Sequence, residues 1–326
     1  MHQSKVTQIK SSSTMTDLSI IIVNYKCLDY LRKCIRSIID TINQIRYEIV
    51  VVDNQSADGT PEAICKEFPG LRMIENTQNL GFAKGNNQGV LASKGKFILL
   101  LNNDTEALPG SIETLFKIIS QSPEVGLLGC RLIHPDLTIQ QSFGRMLNPV
   151  IQFGQKLFTN KIYENSANPI AKFLLTKWHS VERDVDWVRG ACMMIRREAL
   201  DQTCLMDEHF FMFFEDVDIS TQIRNAGWKV RFTPKASIIH HEGVSVSENF
   251  FKSALEYRRS QLYFYEKYYG RLGLAGLKIF LLCKYFKNLF ISWFVRKISL
   301  IFGGGGEEND LAKFNREILN LIRNYR

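Results

Sequence analysis

The sequence lacks the cysteine patterns of disulfide-rich and zinc-binding proteins. Its seven cysteines are scattered over 326 residues, their number is odd, and no two form a CxxC pair. Several lie in or beside apolar runs, where a thiol behaves as a small hydrophobic side chain. This usage predicts a reducing compartment and excludes a small disulfide-stapled scaffold.

Long apolar runs are also missing. The first 17 residues are polar and contain three consecutive serines, at positions 11–13, so we expect a disordered tail there and not a secretory leader. No uncharged apolar run reaches the length of a membrane-spanning helix. These two absences predict a cytoplasmic protein.

Two nucleotide-binding signatures are absent as well. Residues 24–27, which follow the first apolar run, contain no glycine. This counts against a nucleotidyltransferase, and the missing GxGxxG motif counts against a dinucleotide-dependent oxidoreductase. The net charge of +8 comes without zinc-ligand pairs or an aromatic RNA-binding pattern, so no nucleic-acid partner is expected. The charge favours phosphorylated substrates or an anionic membrane surface.

Short β-branched runs alternate with segments of helical periodicity. Strands are predicted at 18–24, 47–52, 71–74 and 97–101, with helices between them. This alternation predicts an α/β fold with a mostly parallel twisted sheet and helices on both faces. Ligands of such sheets bind beyond the carboxyl ends of the strands. Four successive strand ends carry polar residues here: Asn24-Tyr25, Asp53-Asn54, Asn76 and Asn102-Asn103-Asp104.

The second half of the sequence adds further strands and a second acidic cluster. The apolar runs at 185–188 and 191–195 flank Arg189-Gly190 and predict a strand with a close backbone approach at the glycine. Further strands are predicted at 230–232 and 236–240. Residues 215–226 are predicted to form a helix that Gly227 ends. Three acids, Glu215, Asp216 and Asp218, open that helix, and two adjacent histidines end the last strand.

These motifs together resemble the family 2 glycosyltransferases of the GT-A fold, and within them the bacterial rhamnosyltransferase-like branch. The matching segments run in the family's order over about residues 18–245: 19–25, 51–60, 79–87, 100–105, 187–191, 207–211, 215–218 and 240–245. Each motif alone is weak, whereas the ordered set is specific.

The resemblance implies an inverting, metal-dependent transfer of a sugar to a hydroxyl of a glycan or lipid-linked glycan, in cell-wall or O-antigen synthesis. The donor would be a nucleotide-diphosphate sugar, dTDP-rhamnose or a UDP-sugar. Asp216 would be the catalytic base, which takes the proton of the attacking hydroxyl. Asp104 and His240 would hold a divalent ion, Mg²⁺ or Mn²⁺, and the neighbouring His241 is the competing ligand.

The remaining implied site residues divide into a donor side and an acceptor side. Asp53 would accept a hydrogen bond from the N3–H of the base, and Tyr25 would pack on the base or ribose, although a structural tyrosine is the open alternative. Donor-side residues are Asn24, Tyr25, Asp53, Lys84, Asn87, Asn102 and Asn103. Acceptor-side residues are Arg189, Gly190, Asp207 and Glu215.

We expect a glycosyltransferase domain over 18–245, with a nucleotide-binding half at 18–105 and an acceptor and catalytic half at 106–245. A basic, apolar helical extension at 246–302 and a glycine linker with an amphipathic tail at 303–326 follow. Residues 271–302 contain six Lys or Arg and no acid. They form either an interfacial helix pair on the inner face of the plasma membrane or helices packed on the catalytic domain. The alternative function is a non-catalytic nucleotide-sugar- or glycan-binding protein.

Overall fold

The computed structural model describes residues 16–146, 162–163, 168–242, 250–301 and 310–325. The predicted tail before residue 16, residues 243–245 of the last motif and the glycine linker lie outside the described residues. The helices are α1 Leu28–Thr41, α2 Thr60–Glu67, α3 Phe82–Ala92, α4 Ser111–Gln121, α5 Pro169–Trp178, α6 Arg197–Asp201, α7 Glu215–Asn225, α8 Phe250–Ile301 and α9 Asp310–Asn324. The strands are β1 Leu18–Asn24, β2 Tyr47–Asp53, β3 Arg72–Glu75, β4 Phe97–Leu101, β5 Thr105–Ala107, β6 Val125–Ile133, β7 Phe143–Gly144, β8 Arg183–Asp184, β9 Trp187–Val188, β10 Cys192–Arg196 and β11 Lys229–His240.

One nine-stranded sheet organises the fold, in the order β3-β2-β1-β4-β10-β6-β11-β5, with β8 paired to β11. The first four strands in that order are parallel, as predicted. The sheet as a whole is mixed, because β10 runs antiparallel to both of its neighbours. The chain enters β10 directly from β9, which pairs with β7 outside the main sheet.

Both faces of the sheet are covered, which explains why β1 is buried along its whole length. Leu18, Ile20 and Ile22 face the core shared with α1, α2 and α4. Ile21 and Val23 face the opposite core, which includes side chains of α3, α6 and α7. A strand buried on both faces is a near-continuous apolar run, and this is the pattern that the sequence shows.

Strand β6 lies at the centre of the sheet although no strand was predicted there. Its glycines are sites of close approach: a Cβ at Gly129 would lie 2.6 Å from Val188 Cβ, and one at Gly126 would lie 2.7 Å from Trp228 Cβ. The two strands predicted at 230–232 and 236–240 form the single strand β11. Its pairing with β6 shifts register between Thr233 and Ser237, across Pro234, which has no N–H to donate.

The C-terminal region is helical, as expected. Helix α8 breaks at Gly270, whose φ of 61° and ψ of −164° lie outside the helical region. Arg258 Nε donates a hydrogen bond to Tyr285 Oη, so the limb after Gly270 folds back along the limb before it. Apolar side chains of both limbs and of α9 share a core with Trp187, Phe210, Phe214 and Val217.

The second limb of α8, after Gly270, has features of both an interfacial helix and a helix packed on the rest of the protein. One side packs inward through Leu274, Leu277 and Leu281, while the other leaves large apolar side chains exposed. These exposed side chains, termed the apolar face of α8, are Ile279, Phe280, Phe286, Phe290, Ile291, Trp293, Phe294 and Val295. No helix among the described residues combines the length and apolar character needed to cross a bilayer.

Candidate active site

A buried polar network joins the carboxyl ends of β1, β2 and β4. Asn24 Nδ2 donates to Asp53 Oδ1 at 3.0 Å, and Asn24 Oδ1 accepts from Asn103 Nδ2 at 2.8 Å. Asp53 Oδ2 accepts the backbone N–H of Ser56 at 2.8 Å, which fixes the turn after β2. Three residues of the predicted donor side, Asn24, Asp53 and Asn103, therefore lie together.

A depression of about 520 Å³ opens beside this network, at the loops that follow β1 and β2. It is lined by Tyr25, Lys26, Gln55, Ser56, Ala57 and Asp58. Lys26, Gln55 and Ala57 hold positive φ angles of 53°, 60° and 52°. Non-glycine residues adopt this conformation only where the surroundings impose it, and such strain concentrates at ligand sites. Tyr25 lies where a flat ring could pack against it.

The pairing of β5 with β11 brings Asp104 to His240. Thr105 pairs with His240 in the antiparallel register, and His240 Nε2 lies 3.4 Å from Asp104 Oδ1. Both side chains are buried, and neither Asp104 Oδ1 nor Asn102 Oδ1 has a hydrogen-bond partner. Oxygens left unpaired at this depth are costly unless a cation or donor group meets them.

The tautomer of His240 is set by a residue that the sequence analysis missed. Gln140 Nε2 donates to the backbone O of His240 at 2.6 Å, which orients the amide so that its Oε1 faces His240 Nδ1 at 2.8 Å. An amide oxygen only accepts, so Nδ1 carries a proton, and in the neutral ring Nε2 has the lone pair, 3.4 Å from Asn102 Nδ2. Gln140 lies in the loop after β6, 100 residues before His240, and no local pattern in the sequence connects the two residues.

His241, the competing ligand, faces elsewhere. Its Nε2 lies 2.6 Å from Glu106 Oε1, and its ring contacts Tyr30 edge-on at 5.0 Å between centroids. A divalent ion would therefore find Asp104, Asn102 and His240, an oxygen and nitrogen set suited to Mg²⁺ or Mn²⁺. The described residues contain no group of three His, Cys, Asp or Glu that could hold an ion, so part of its coordination would come from substrate or water.

Asp216 lies in the first turn of α7, with its carboxylate fixed by backbone N–H groups. Oδ2 accepts from Gly190 N at 3.0 Å, and Oδ1 accepts from Val217 N at 2.8 Å. Burial raises the pKa of Asp216, while the two N–H groups and the positive charge of Arg189 act against that rise. The result is an oriented carboxylate with a raised pKa, as proton transfer near neutral pH requires.

The two other acids of the cluster have different environments. Glu215 is buried, its Oε2 has no partner, and burial together with the charge of Asp216 raises its pKa well above the usual value. Asp218 Oδ1 accepts from Tyr268 Oη at 2.7 Å and contacts Lys267 Nζ at 2.6 Å. Asp218 thus ties α7 to α8, whereas Glu215 is a protonatable group next to Asp216.

A short backbone segment links the Asp104 loop to Asp216. Asn102 N donates to Ala191 O at 3.1 Å, and the preceding residue, Gly190, is the one that donates to Asp216. Arg189 forms an ion pair with Glu242, two residues beyond His240. Residues 189–191 therefore lie between the candidate metal ligands and the candidate base.

The polar atoms of other predicted site residues form hydrogen bonds and ion pairs within the protein. Asn87 exchanges hydrogen bonds with the backbone of Met206, and Lys84 lies 3.2 Å from Glu208. Asp207 contacts Lys267 Nζ at 2.8 Å, and this contact and other hydrogen bonds hold the pKa of its carboxyl far below the usual range despite burial. These contacts favour structural roles, and the predicted donor-side and acceptor-side roles of Lys84, Asn87 and Asp207 stay predictions.

Comparison with known proteins places this geometry in a family. Residues 19–203 match Glycosyl transferase family 2. The N-acetylglucosaminyl-diphospho-decaprenol L-rhamnosyltransferase of Mycobacterium tuberculosis is 28% identical over 248 residues, which cover 72% of this chain and 80% of the relative. The rhamnosyltransferase WbbL of Escherichia coli is 23% identical over 259 residues, which cover 76% of this chain and 91% of that protein.

Solved structures share the fold at low identity. The mannosyltransferase PcManGT of Pyrobaculum calidifontis, in complex with GDP-Man and Mn²⁺, aligns with a TM-score of 0.53 at 15% identity, over 78% of this chain and 64% of that one. GalNAc-T7, with UDP, GalNAc and Mn²⁺, aligns with a TM-score of 0.51 at 16% identity, over 78% of this chain and 51% of that one. The chain spans half to two thirds of these longer proteins, and the shared fold is GT-A. The chain belongs to glycosyl transferase family 2 and is a glycosyltransferase of the rhamnosyltransferase-like branch.

Proposed function

We propose that this enzyme transfers a sugar, with inversion, from a nucleotide-diphosphate donor to a hydroxyl of a lipid-linked glycan in the synthesis of a cell-surface polysaccharide. Rhamnose from dTDP-rhamnose is the first candidate, and a sugar from a UDP donor is the second. The observation that carries the proposal is the link through Gly190 and Ala191 between the Asp104 loop and the Asp216 carboxylate. The proposed metal ligands and the proposed base therefore lie on either side of that segment.

Asp216 is the proposed base. Its oxygens are held by two backbone N–H groups and keep lone pairs available for an incoming hydroxyl. Taking that proton as the acceptor oxygen attacks the anomeric carbon accounts for inversion, since a single displacement turns over one centre. A positioned base of this kind contributes a factor of about 10²–10⁴ to the rate.

A divalent ion, Mg²⁺ or Mn²⁺, is the proposed cofactor. Asp104 and His240 would hold it, with Asn102 Oδ1 beside them, because Asp104 Oδ1 and Asn102 Oδ1 are buried acceptors without partners and His240 Nε2 lies 3.4 Å from Asp104 Oδ1. When bound, the ion supplies Lewis-acid stabilisation of charge on the departing nucleotide diphosphate. The base and ribose of the donor would occupy the depression beside Tyr25, next to the Asn24–Asp53 network.

The acceptor is proposed to be a glycan on a lipid diphosphate, since the mycobacterial relative is named for an N-acetylglucosaminyl-diphospho-decaprenol acceptor. The apolar face of α8, with lysines beside it, suits peripheral contact with the anionic inner face of the plasma membrane. Flotation with phosphatidylglycerol vesicles tests this contact. A Phe290→Ser/Phe294→Ser variant should float less than wild type, whereas Phe173→Ser, at an exposed phenylalanine of α5, should float equally.

The decisive experiment is a screen of nucleotide sugars with a short-chain N-acetylglucosaminyl diphosphate lipid as acceptor. The screen is run with Mn²⁺, with Mg²⁺ and with EDTA. Product from dTDP-rhamnose or a UDP-sugar that EDTA abolishes supports the proposal. Donor binding without transfer under every condition would instead favour the non-catalytic alternative, and full activity in EDTA would remove the metal from the mechanism.

A further inference from the structure

Two cationic side chains, Arg258 and Lys284, contact the ring of Tyr285 in the hairpin of α8, at 5.7 Å and 5.3 Å from its centroid, and neither has a carboxylate partner among the described residues. Arg258, in the first limb, is 9% exposed. It donates to Tyr285 Oη at 2.9 Å and to the amide oxygen of Gln261. No Asp or Glu among the described residues lies within ion-pair distance of Arg258 or Lys284. A buried guanidinium that has only neutral partners leaves its charge uncompensated.

Lys284 adds a second charge to the same place. It is half-buried, and burial together with the positive charge of Arg258 lowers its pKa. The rings of Tyr257 and Tyr285 lie 5.0 Å and 5.7 Å from the Arg258 guanidinium and provide weak cation–π contacts. Aromatic faces offset part of the cost of burying a cation, but they do not neutralise two cations. The cluster therefore has positive charge that an anion would compensate.

The cluster lies beside the candidate base. Tyr257 packs against Phe213 and Phe214, the residues immediately before Glu215 and Asp216, with ring centroids 5.5 Å and 5.2 Å apart. Burial raises the pKa of Tyr257, the charge of Arg258 acts against that rise, and the charge of Asp216 adds to it. Tyr257 thus connects Arg258 to the residues immediately before Asp216, and an anion held by Arg258 would lie on that side of Tyr257.

The side chains of α8 become exposed and aromatic with distance from this cluster. Tyr285 is buried, the next residue Phe286 is exposed, and Phe290, one turn further, is 64% exposed. Moving away from Asp216, the protein presents a base, then unpaired cations, then exposed aromatic side chains. A sugar joined through phosphate to a lipid presents a hydroxyl, then negative charge, then hydrocarbon, in the same order.

We propose that Arg258 and Lys284 form the subsite that binds a phosphate group of the acceptor's lipid diphosphate, with the apolar face of α8 receiving the lipid. This inference rests on the proposed function for its choice of anion. The subsite places the acceptor hydroxyl at Asp216 by holding the negative charge next to it, and guanidinium groups are suited to bidentate contacts with phosphate oxygens.

The test compares each cation with an exposed neighbour. Arg258→Gln and Lys284→Gln remove charges of the cluster, and Arg259→Gln and Lys287→Gln remove the same charge at exposed positions of the same helix. With the diphosphate acceptor, Arg258→Gln should raise the KM about tenfold or more. With octyl N-acetylglucosaminide, which has no phosphate, its KM should equal that of wild type. The KM of the donor should not change for any variant, and Arg258→Lys should restore part of the acceptor affinity.

A binding measurement keeps this inference separate from the proposed function. Calorimetric titration with farnesyl diphosphate, without donor, should show weaker binding for Arg258→Gln than for Arg259→Gln. If wild type transfers sugar and the Arg258 and Arg259 variants bind the probe equally, the subsite is overturned while the function stands. If wild type transfers no sugar but Arg258→Gln still weakens binding, the function falls and the subsite remains.

A second arm separates the acceptor from membrane lipid as the source of phosphate. Flotation with phosphatidylglycerol vesicles, without acceptor, should be the same for Arg258→Gln and Arg259→Gln. A flotation defect specific to Arg258→Gln, with an unchanged acceptor KM, would assign the cations to a lipid headgroup and overturn the proposal. Melting curves of Arg258→Gln and Arg259→Gln show that each variant is folded at the assay temperature, and partial recovery of the acceptor KM in Arg258→Lys assigns the effect to the charge.

Discussion

Replacement of Gln140 by leucine tests the candidate metal site without removing any of the proposed ligands of the ion. In the protein, Gln140 Oε1 accepts from His240 Nδ1 at 2.8 Å, so that Nε2 has the lone pair when the ring is neutral. Leucine removes that acceptor, so Nδ1 loses its reason to carry the proton and the ring loses its orientation. Loss of such a partner of a ligating histidine typically weakens metal affinity about 10–100-fold. Buried groups that lose a hydrogen bond cost about 1–3 kcal/mol each in folding free energy.

The measurement is a Mn²⁺ titration followed by electron paramagnetic resonance, with saturating nucleoside diphosphate. We expect a dissociation constant about 10–100-fold above wild type for Gln140→Leu. Gln141→Leu is the matched control, because the described contacts of Gln141 use its backbone O. Urea unfolding of both variants shows that each is folded at the temperature of the titration. A Gln140→Leu protein that binds Mn²⁺ within twofold of wild type would refute the proposed role of His240 Nε2.

Three further predictions concern the base, its neighbour and a glycine. Asp216→Asn should lower kcat about 10²–10⁴-fold and leave the donor dissociation constant unchanged; retained turnover would remove Asp216 as base. The pKa of Glu215 is raised in the folded state, so ionisation of Glu215 destabilises the protein as the pH rises through that pKa. The free energy of urea unfolding of Glu215→Gln, relative to that of wild type, should therefore be higher at pH 8 than at pH 5. Gly81→Ala should lose more unfolding free energy than Gly110→Ala. Gly110 is in the left-handed helical region, where alanine costs about 1–2 kcal/mol. Gly81, with φ of 86° and ψ of 177°, is in a region that essentially only glycine adopts, and a Cβ there would lie 2.5 Å from Phe211 O, for which overpacking adds about 1–3 kcal/mol. Equal losses would contradict both reasons.

Local patterns were enough to predict the parallel half of the fold. The runs that form β1, β2 and β4 are apolar on both faces, and polar residues begin where each run ends, so sequence and structure agree there. Strand β6 was missed because Gly126 and Gly129 weaken its strand pattern. Those glycines are required by Trp228 and Val188, which approach from distant parts of the chain.

The candidate site also has a part that local patterns predict and a part that depends on contacts between distant residues. Asp104 and Asp216 could be identified from motifs, because each follows a recognisable strand or opens a helix. The partners that set their chemistry could not, since the Asp216 contact with Gly190 spans 26 residues and the His240 contact with Gln140 spans 100. Asp207 illustrates the converse: it belongs to a family motif, yet its contacts with Lys267 and Tyr263 depend on the C-terminal helix.

The reversal at Gly270 has a consequence for how insertions would act on the C-terminal region. The chain turns back at one residue, with φ of 61° and ψ of −164°, so no loop separates the two limbs of α8. The rotational phase of the second limb is therefore set directly by residue count. One added residue after Gly270 would rotate that limb by about 100°, turning Leu274, Leu277 and Leu281 out of the core and disrupting the meeting of Tyr285 with Arg258.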